Sequence, residues 1–255
     1  MKTNSTMISL LSKPTQRYRV TVRAQAKHQN IHNDLNLKAL EKNPNHKAYA
    51  YHIANPNVPV VIGIGPAGCG KTLISCAHAI NRLVNKEINK VVITRPAVSM
   101  DESHGYLPGD IESKMMPWLI PIYDCFKQYV SVQRLREYIQ NEDIEICPMS
   151  FIRGRTFNNS WIIADEVQNS TVNQMKTLLT RIGNDSKMIL TGDLQQCDLK
   201  ETNGLEDFLK RHEYYRNDTE INSDNKDEMI KIVKFEEHDI MRSEIVKYVL
   251  DIYKY

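Results

Sequence analysis

The sequence predicts an α/β fold, a three-layer sandwich with a mainly parallel central sheet. Two observations carry this. Apolar runs of strand length recur between stretches of helical spacing, at 58–64, 90–94, 160–164 and 187–191, the pattern of parallel strands joined by crossover helices. Candidate ligand-binding residues also stand just past the ends of these runs, where parallel sheets place their sites.

The first run, Val58 to Ile64, reads as a buried strand. It leads into Gly65-Pro66-Ala67-Gly68-Cys69-Gly70-Lys71-Thr72, which fits G-x-x-x-x-G-K-[ST]. Leu73, Ile74, Ala77, Ile80, Leu83 and Val84 follow at helical spacing. A glycine-rich turn between a strand and a helix cradles phosphate with inward-facing backbone N–H groups, aided by the helix N-terminus. Lys71 is placed to reach the β- and γ-phosphates, and Thr72 to hold Mg²⁺. Residues 65–72 are thus the candidate nucleotide-binding loop.

Composition narrows the class. The 255 residues allow one large domain, or one domain with a tail. We divide them into a basic arm at 1–33 and a catalytic domain at 34–255. A net charge of +2 makes no global demand for nucleic acid, so any basic site is local. No apolar run reaches membrane-spanning length, so a membrane partner is not expected. Five cysteines with no C-x-x-C pair argue for reduced thiols in a cytoplasmic setting, without a zinc site or disulfide framework. Cys69 reads as a small tolerated residue of the loop.

In chain order, residues 1–33 carry Lys2, Lys13, Arg17, Arg19, Arg23 and Lys27 and no acid. This arm reads as a contact for nucleic acid or a partner, as a targeting peptide, or as a solvated tail; 17–23 alternates like a short edge strand. Residues 34–52 read as helix broken near Asn43-Pro44-Asn45, with His46 an exposed residue at a helix start. Arg95 ends the second strand and is a candidate for nucleotide phosphate or for a nucleic-acid strand. Glu102, His104 and Asp110 share a loop at 98–110 whose spacing matches no metal pattern. Residues 111–130 read as a helix interrupted at Pro117 and Pro121. Its Trp118, Tyr123 and Phe126 fit core positions better than base stacking. A helix near 132–139 and a strand near 144–146 follow. Arg153 and Arg155, flanking Gly154, suit anion binding.

Ser160 to Ala164 is a strand ending in Asp165-Glu166. Asp165 would hold Mg²⁺ and Glu166 would activate or orient the attacking water. An acid aimed at water favours hydrolysis over phosphate transfer to a small substrate. A helix from 167 to 179 and a strand at 187–191 come next. In this class of ATPase the latter strand is expected between the phosphate-loop strand and the acidic strand, with Gln196 as γ-phosphate sensor supported by Asp193. The chain closes with a helix near 204–209, a polar loop at 212–228, a strand at 229–235 and a final helix opening at 239–246. Arg242 is a candidate charge-neutralising arginine, in its own site or a neighbour's.

Seven blocks resemble the PhoH family of phosphate-loop ATPases: Gly65 to Gly68 with Gly70-Lys71-Thr72; Thr94-Arg95-Pro96-Ala97; Leu107-Pro108-Gly109-Asp110; Arg153-Gly154-Arg155-Thr156; Asp165-Glu166 with Gln168-Asn169; Leu179-Thr180-Arg181-Ile182-Gly183; and Gly192-Asp193 with Gln196 and Asp198-Leu199. The resemblance runs over about residues 40 to 255. It implies a RecA-like P-loop NTPase core similar to the first core domain of superfamily 1 helicases. It further implies ATP and Mg as cofactors and hydrolysis linked to RNA or single-stranded DNA; the ribonuclease domain fused to some relatives is not expected, since too little chain precedes residue 40. Departures are Cys69 where Thr is frequent, His46 near the expected adenine-reading glutamine, and Val167 where Ala is usual. With room for one core domain, subunits are expected to complete each other's sites in a homo-oligomer, which could be a hexameric ring, with Arg242 or Arg181 supplied across the interface. A nucleotide-dependent binding module with negligible turnover is the alternative. A small-molecule kinase lacks support, since no Arg-rich lid follows the core.

Overall fold

A computed structural model describes residues 37–96, 111–199, 202–217, 228–241 and 244–252. Six strands form one sheet: β1 (Val60–Ile64), β2 (Lys90–Thr94), β3 (Ile144–Ile146), β4 (Ser160–Ala164), β5 (Lys187–Gly192) and β6 (Ile230–Lys234). Their spatial order is β3-β2-β4-β5-β1-β6, and every pairing is parallel. The helices are α1 (Pro44–Ala54), α2 (Lys71–Val84), α3 (Ile111–Lys127), α4 (Val132–Gln140), α5 (Val172–Leu179), α6 (Gly204–Asn217) and α7 (Glu244–Ile252). The predicted three-layer α/β sandwich is therefore the observed fold.

Side chains leave a strand on alternate faces, and here each face finds its own helices. Val61, Val91, Ile93, Trp161, Ile163 and Ile189 pack with α1 to α4. Val60, Ile62, Val92, Ile162, Met188 and Leu190 pack with α5 and α6. Strands β1, β4 and β5 are buried along their whole length, which is why they read as unbroken apolar runs.

Because all strands run one way, the phosphate loop, the acid pair and the loop after β5 leave the same edge of the sheet. Strand β5 lies between β4 and β1, so the two halves of the expected site are separated by one strand, as anticipated.

Four expectations need correction. His46 is fully buried. It does sit at the start of α1, where Asn43 caps its backbone N–H and Pro44 occupies the first turn. However, its ring is enclosed by the Phe235 ring at 5.5 Å and the carbonyl of Cys69. Helix α3 runs continuously through Pro117 and Pro121; each proline removes one N–H donor without ending the helix. Helix α6 extends to Asn217, where a loop was expected from 212. Glu206–Lys210 and Asp207–Arg211 ion pairs at i,i+4 spacing support its polar face. The helix expected from 167 is a 3-10 turn at Val167–Asn169, and α5 starts separately at Val172, capped by Thr171, which forms a capping box with Gln174.

Tyr123 and Phe126 lie in the core, as expected. The basic arm at 1–33, the loop at 98–110 with Glu102, His104 and Asp110, and Arg242 fall outside the described residues.

Candidate functional site

The phosphate loop is braced from outside by α1 and by the segment after β6. Gly65 sits where a Cβ would meet the Phe235 carbonyl at 2.5 Å, so only glycine lets β6 approach so closely. Gly70 has φ +83°, and a Cβ there would lie 2.4 Å from the Met241 methyl. The N–H of Met241 donates to the Gly68 carbonyl at 3.0 Å, and His46 Nε2 bonds the Cys69 carbonyl at 2.8 Å. Tyr49 ties α1 to α2 through Ser75 at 2.9 Å, and Ser75 donates back to the Lys71 carbonyl at 2.8 Å. Burial pushes the Tyr49 phenol well above its ordinary value, so it remains a neutral donor.

Helix α2 has no side-chain cap at its N-terminus. Its first residues, Lys71 and Thr72, instead line a cavity of about 340 Å³. The walls also carry Ala67, Gly68, Gly70, Arg95, Asp165, Glu166, Asp193 and Gln196. Lys71 Nζ donates to the carbonyls of Gly65 at 2.6 Å and Pro66 at 2.9 Å, and approaches Cys69 Sγ at 3.4 Å. Burial raises the Cys69 thiol pKa although Lys71 opposes it, which supports the plain reading of that residue. A larger cavity of about 940 Å³ lies on the other side of the loop, against Leu194, Leu209 and Phe235. It shares Asp193 but not the Asp165–Glu166 pair.

Ninety-three positions apart in sequence, Thr72 and Asp165 meet: Thr72 Oγ1 donates to Asp165 Oδ1 at 2.9 Å. Thr191, at the end of β5, donates to the same oxygen. The Asp165 backbone is held by the Thr94 carbonyl at 3.0 Å. A hydroxyl and a carboxylate side by side are hard oxygen donors, the set magnesium prefers when phosphates and water complete its shell. Among the described residues no group of three His, Cys, Asp or Glu could hold a metal ion.

Glu166 adopts a left-handed backbone, φ +55° and ψ +40°. Such strain in a non-glycine residue turns the chain sharply at the strand end. Gln168 Nε2 donates to Glu166 Oε2 at 2.6 Å and to the Gln196 carbonyl at 3.2 Å, while Gln168 Oε1 accepts from the Asp193 N–H at 3.1 Å. Asn169 and Asp198 pair reciprocally at 3.2 and 2.9 Å. The two amides therefore fasten the loop after β5 to the acid pair. The sequence reading gives Thr191 no part in the site and Gln168 no role beyond its block of family resemblance. The signal for Gln168 was its position two residues after the acids; for Thr191 only the sheet order supplies one.

The arginines divide. Arg95 lines the cavity at the end of β2. Arg153 is exposed. Arg155 is committed elsewhere: its guanidinium forks onto Glu145 at 2.5 and 3.0 Å, reaches Cys147 Sγ at 3.2 Å and lies 4.7 Å over the Phe157 ring. Arg155 first, then Lys90, hold the Glu145 carboxyl below its usual range. Arg181 donates to the Arg155 carbonyl at 3.1 Å and to Thr180 at 3.2 Å.

A parallel α/β sheet with this loop, helix N-terminus and acid pair at one edge defines a P-loop nucleotide-binding protein. A family model described as PhoH-like protein matches residues 39–254. The chain belongs to that family. It is 38% identical over 198 residues to "Protein PhoH" of Escherichia coli K12, covering 76% of this chain and 52% of that protein. To "PhoH-like protein" of Bacillus subtilis it is 46% identical over 140 residues, covering 55% and 44%. The chain thus spans about half the length of the curated relatives it matches. A solved chain, the Sulfolobus solfataricus SWI2/SNF2 ATPase core in complex with dsDNA, overlays with a TM-score of 0.38 at 13% identity, covering 58% of this chain and 31% of that one. So partial an overlay says no more about function. Among the described residues no helix is long and apolar enough to cross a membrane.

Proposed function

We propose that this protein hydrolyses ATP with magnesium and couples the reaction to binding or remodelling RNA or single-stranded DNA, through a domain spanning 34–255. The observation that carries the reading is the bond between Thr72 and Asp165 at 2.9 Å in the wall of the phosphate-loop cavity. Loop amides and the start of α2 would grip the phosphates of ATP, and Lys71 Nζ would move its donors from the Gly65 and Pro66 carbonyls to the terminal phosphates. Thr72 and Asp165 would hold magnesium, which supplies charge neutralisation at the phosphate oxygens. Glu166, oriented by Gln168, accepts the proton of the attacking water at its carboxylate. Gln196, with Asp193, senses the γ-phosphate from the loop after β5.

Nucleic acid enters this reading through Arg95, beside the cavity, and exposed Arg153. Both fit phosphate contacts, which carry affinity without sequence preference. A second copy of the chain would supply an arginine, Arg242 or Arg181, to complete the site. Light scattering with an ATP analogue tests this, and a strict monomer that hydrolyses ATP at full rate would exclude it.

The test of the coupled function is steady-state phosphate release with and without RNA or single-stranded DNA. Stimulation should fall steeply with salt; a rate indifferent to every nucleic acid would remove the coupling. The alternative is a nucleotide-dependent binding module with negligible turnover. In that case Glu166→Gln would behave as wild type.

A further inference from the structure

Two apolar surfaces take no part in the chemistry above, and they match each other. The first is a face of α7. Ile245, Tyr248, Val249 and Ile252 stand at i, i+3, i+4 and i+7, so they share one side of the helix. They are 64, 64, 40 and 54% exposed, so the described residues leave this stripe uncovered.

The second is the cavity of about 940 Å³ on the far side of the phosphate loop. Helix α6 forms one wall and β6 the other. The helix buries Gly204 and Leu205 at its start and is largely exposed from Lys210 onward, and the groove opens beside those later turns. Its floor is apolar, with Ile64, Leu194, Leu209, Ile232 and Phe235. Its rim sets Lys210, Arg216 and Lys234 against Asp193, Glu206 and Glu213, so the two signs balance. Among the described residues, none from α7 lines it.

We propose that α7 of one copy of this chain docks by its apolar stripe in the α6–β6 groove of a second copy. Anchors at i, i+3, i+4 and i+7 are the pattern by which an amphipathic helix fills an apolar groove. The charges favour this occupant. A nucleic-acid strand calls for a surplus of positive charge, and the basic arm at 1–33 for a surplus of negative charge. The balanced rim offers neither. An apolar floor inside a rim of mixed sign is the anatomy of a protein interface, and the stripe itself is uncharged. Tyr248 can bury its ring and keep its hydroxyl at the rim. Helix and groove are different surfaces, so the contact runs head to tail. Each docked pair still offers one free groove and one free helix, and the series closes into a ring or continues as a filament. The groove is bounded by Gly65, Pro66 and Asp193, so the neighbour would sit against the back of the phosphate loop. This inference rests on the proposed self-assembly for its partner and names the surfaces through which the copies meet.

The test is light scattering on the full chain, without nucleotide, over a range of protein concentration. The wild type should assemble. Ile245→Glu places a charge in the stripe and Leu194→Glu places one in the groove, and each should weaken assembly at least about tenfold. Both positions are exposed, so the fold should persist, which thermal melts check. An equimolar mixture of the two variants should form a dimer and go no further, because one intact helix meets one intact groove. Misfolded chains could not rescue each other in this way. A variant that assembles like the wild type, or a mixture that stays monomeric where the wild type assembles, would overturn the proposal and leave self-assembly to another surface. A wild type that is monomeric throughout would overturn both. Neither readout requires ATP hydrolysis, so failure here is distinguishable from failure of the proposed activity.

Discussion

Two lysines at opposite edges of the sheet make nearly the same bonds. Lys71, at the edge where the strands end, donates to the carbonyls of Gly65 and Pro66. Lys187, at the edge where β5 begins, is buried and donates to the carbonyls of His52 at 3.0 Å and Asn55 at 2.7 Å. The difference is what lies beyond the ammonium group. Lys71 opens on a cavity with an acid pair across it. Lys187 is closed in by the Trp161 ring at 5.7 Å, with Arg82 at 5.8 Å from the same ring and bonded to the Ala54 carbonyl. Lys187 and Arg82 thus satisfy the last carbonyls of α1, a permanent staple for a helix end. Lys71 holds carbonyls of a loop with left-handed glycines, partners that the proposed function would have it exchange for phosphate. The lesson is that a buried lysine is functional by its access, and its hydrogen-bond list does not tell.

Substitutions should separate the two roles. Lys71→Ala should cost nucleotide-dependent activity at least about a hundredfold while shifting stability little; loss of the fold instead would make Lys71 a staple like its counterpart. Lys187→Met takes the lysine donor from the His52 carbonyl and leaves the Asn55 carbonyl the Val58 N–H at 3.2 Å, and should lower stability by about 2 kcal/mol in urea unfolding, with nucleotide affinity unchanged. An effect on affinity would mean that the two edges communicate.

Acidity sharpens the contrast. Burial, helped by Arg82, pushes the Lys187 amine down to about 8 from an ordinary 10.5. Between those values the unfolded chain binds the extra proton, so stability should rise with pH through that window, and Lys187→Met should flatten the rise. Glu145 behaves oppositely, since its lowered pKa contributes stability above the usual carboxylate value that is lost as pH falls through the folded value. The group is partly exposed, so Glu145→Gln should cost no more than about 1 kcal/mol, seen as a shallower acid limb in thermal melts.

Much of the site was readable because its chemistry is local. The loop at 65–72 needs glycines and a lysine at fixed positions, and the strand before Asp165-Glu166 is buried on both faces. The placement of β5 between β4 and β1 followed from the expected class. What was not readable depends on distant partners. His46 is buried because Phe235 and the Cys69 carbonyl close on it from elsewhere in the chain. Tyr49 packs where a Cβ on Gly63 would come within 2.9 Å of its ring, a fit no local pattern announces. Lys187 looked like the polar start of a strand, and only the end of α1 and Trp161 explain its burial. Thr191 and Gln168 belong to the same group, since their partners come from neighbouring strands and loops.

The most direct measurement pairs nucleotide binding with phosphate release for the wild type and Glu166→Gln in MgATP. The wild type should bind and release phosphate, and the variant should bind equally well with release reduced at least about a hundredfold. Equal release from both proteins, or no binding by the wild type, would contradict a hydrolytic site built on Lys71, Thr72, Asp165 and Glu166.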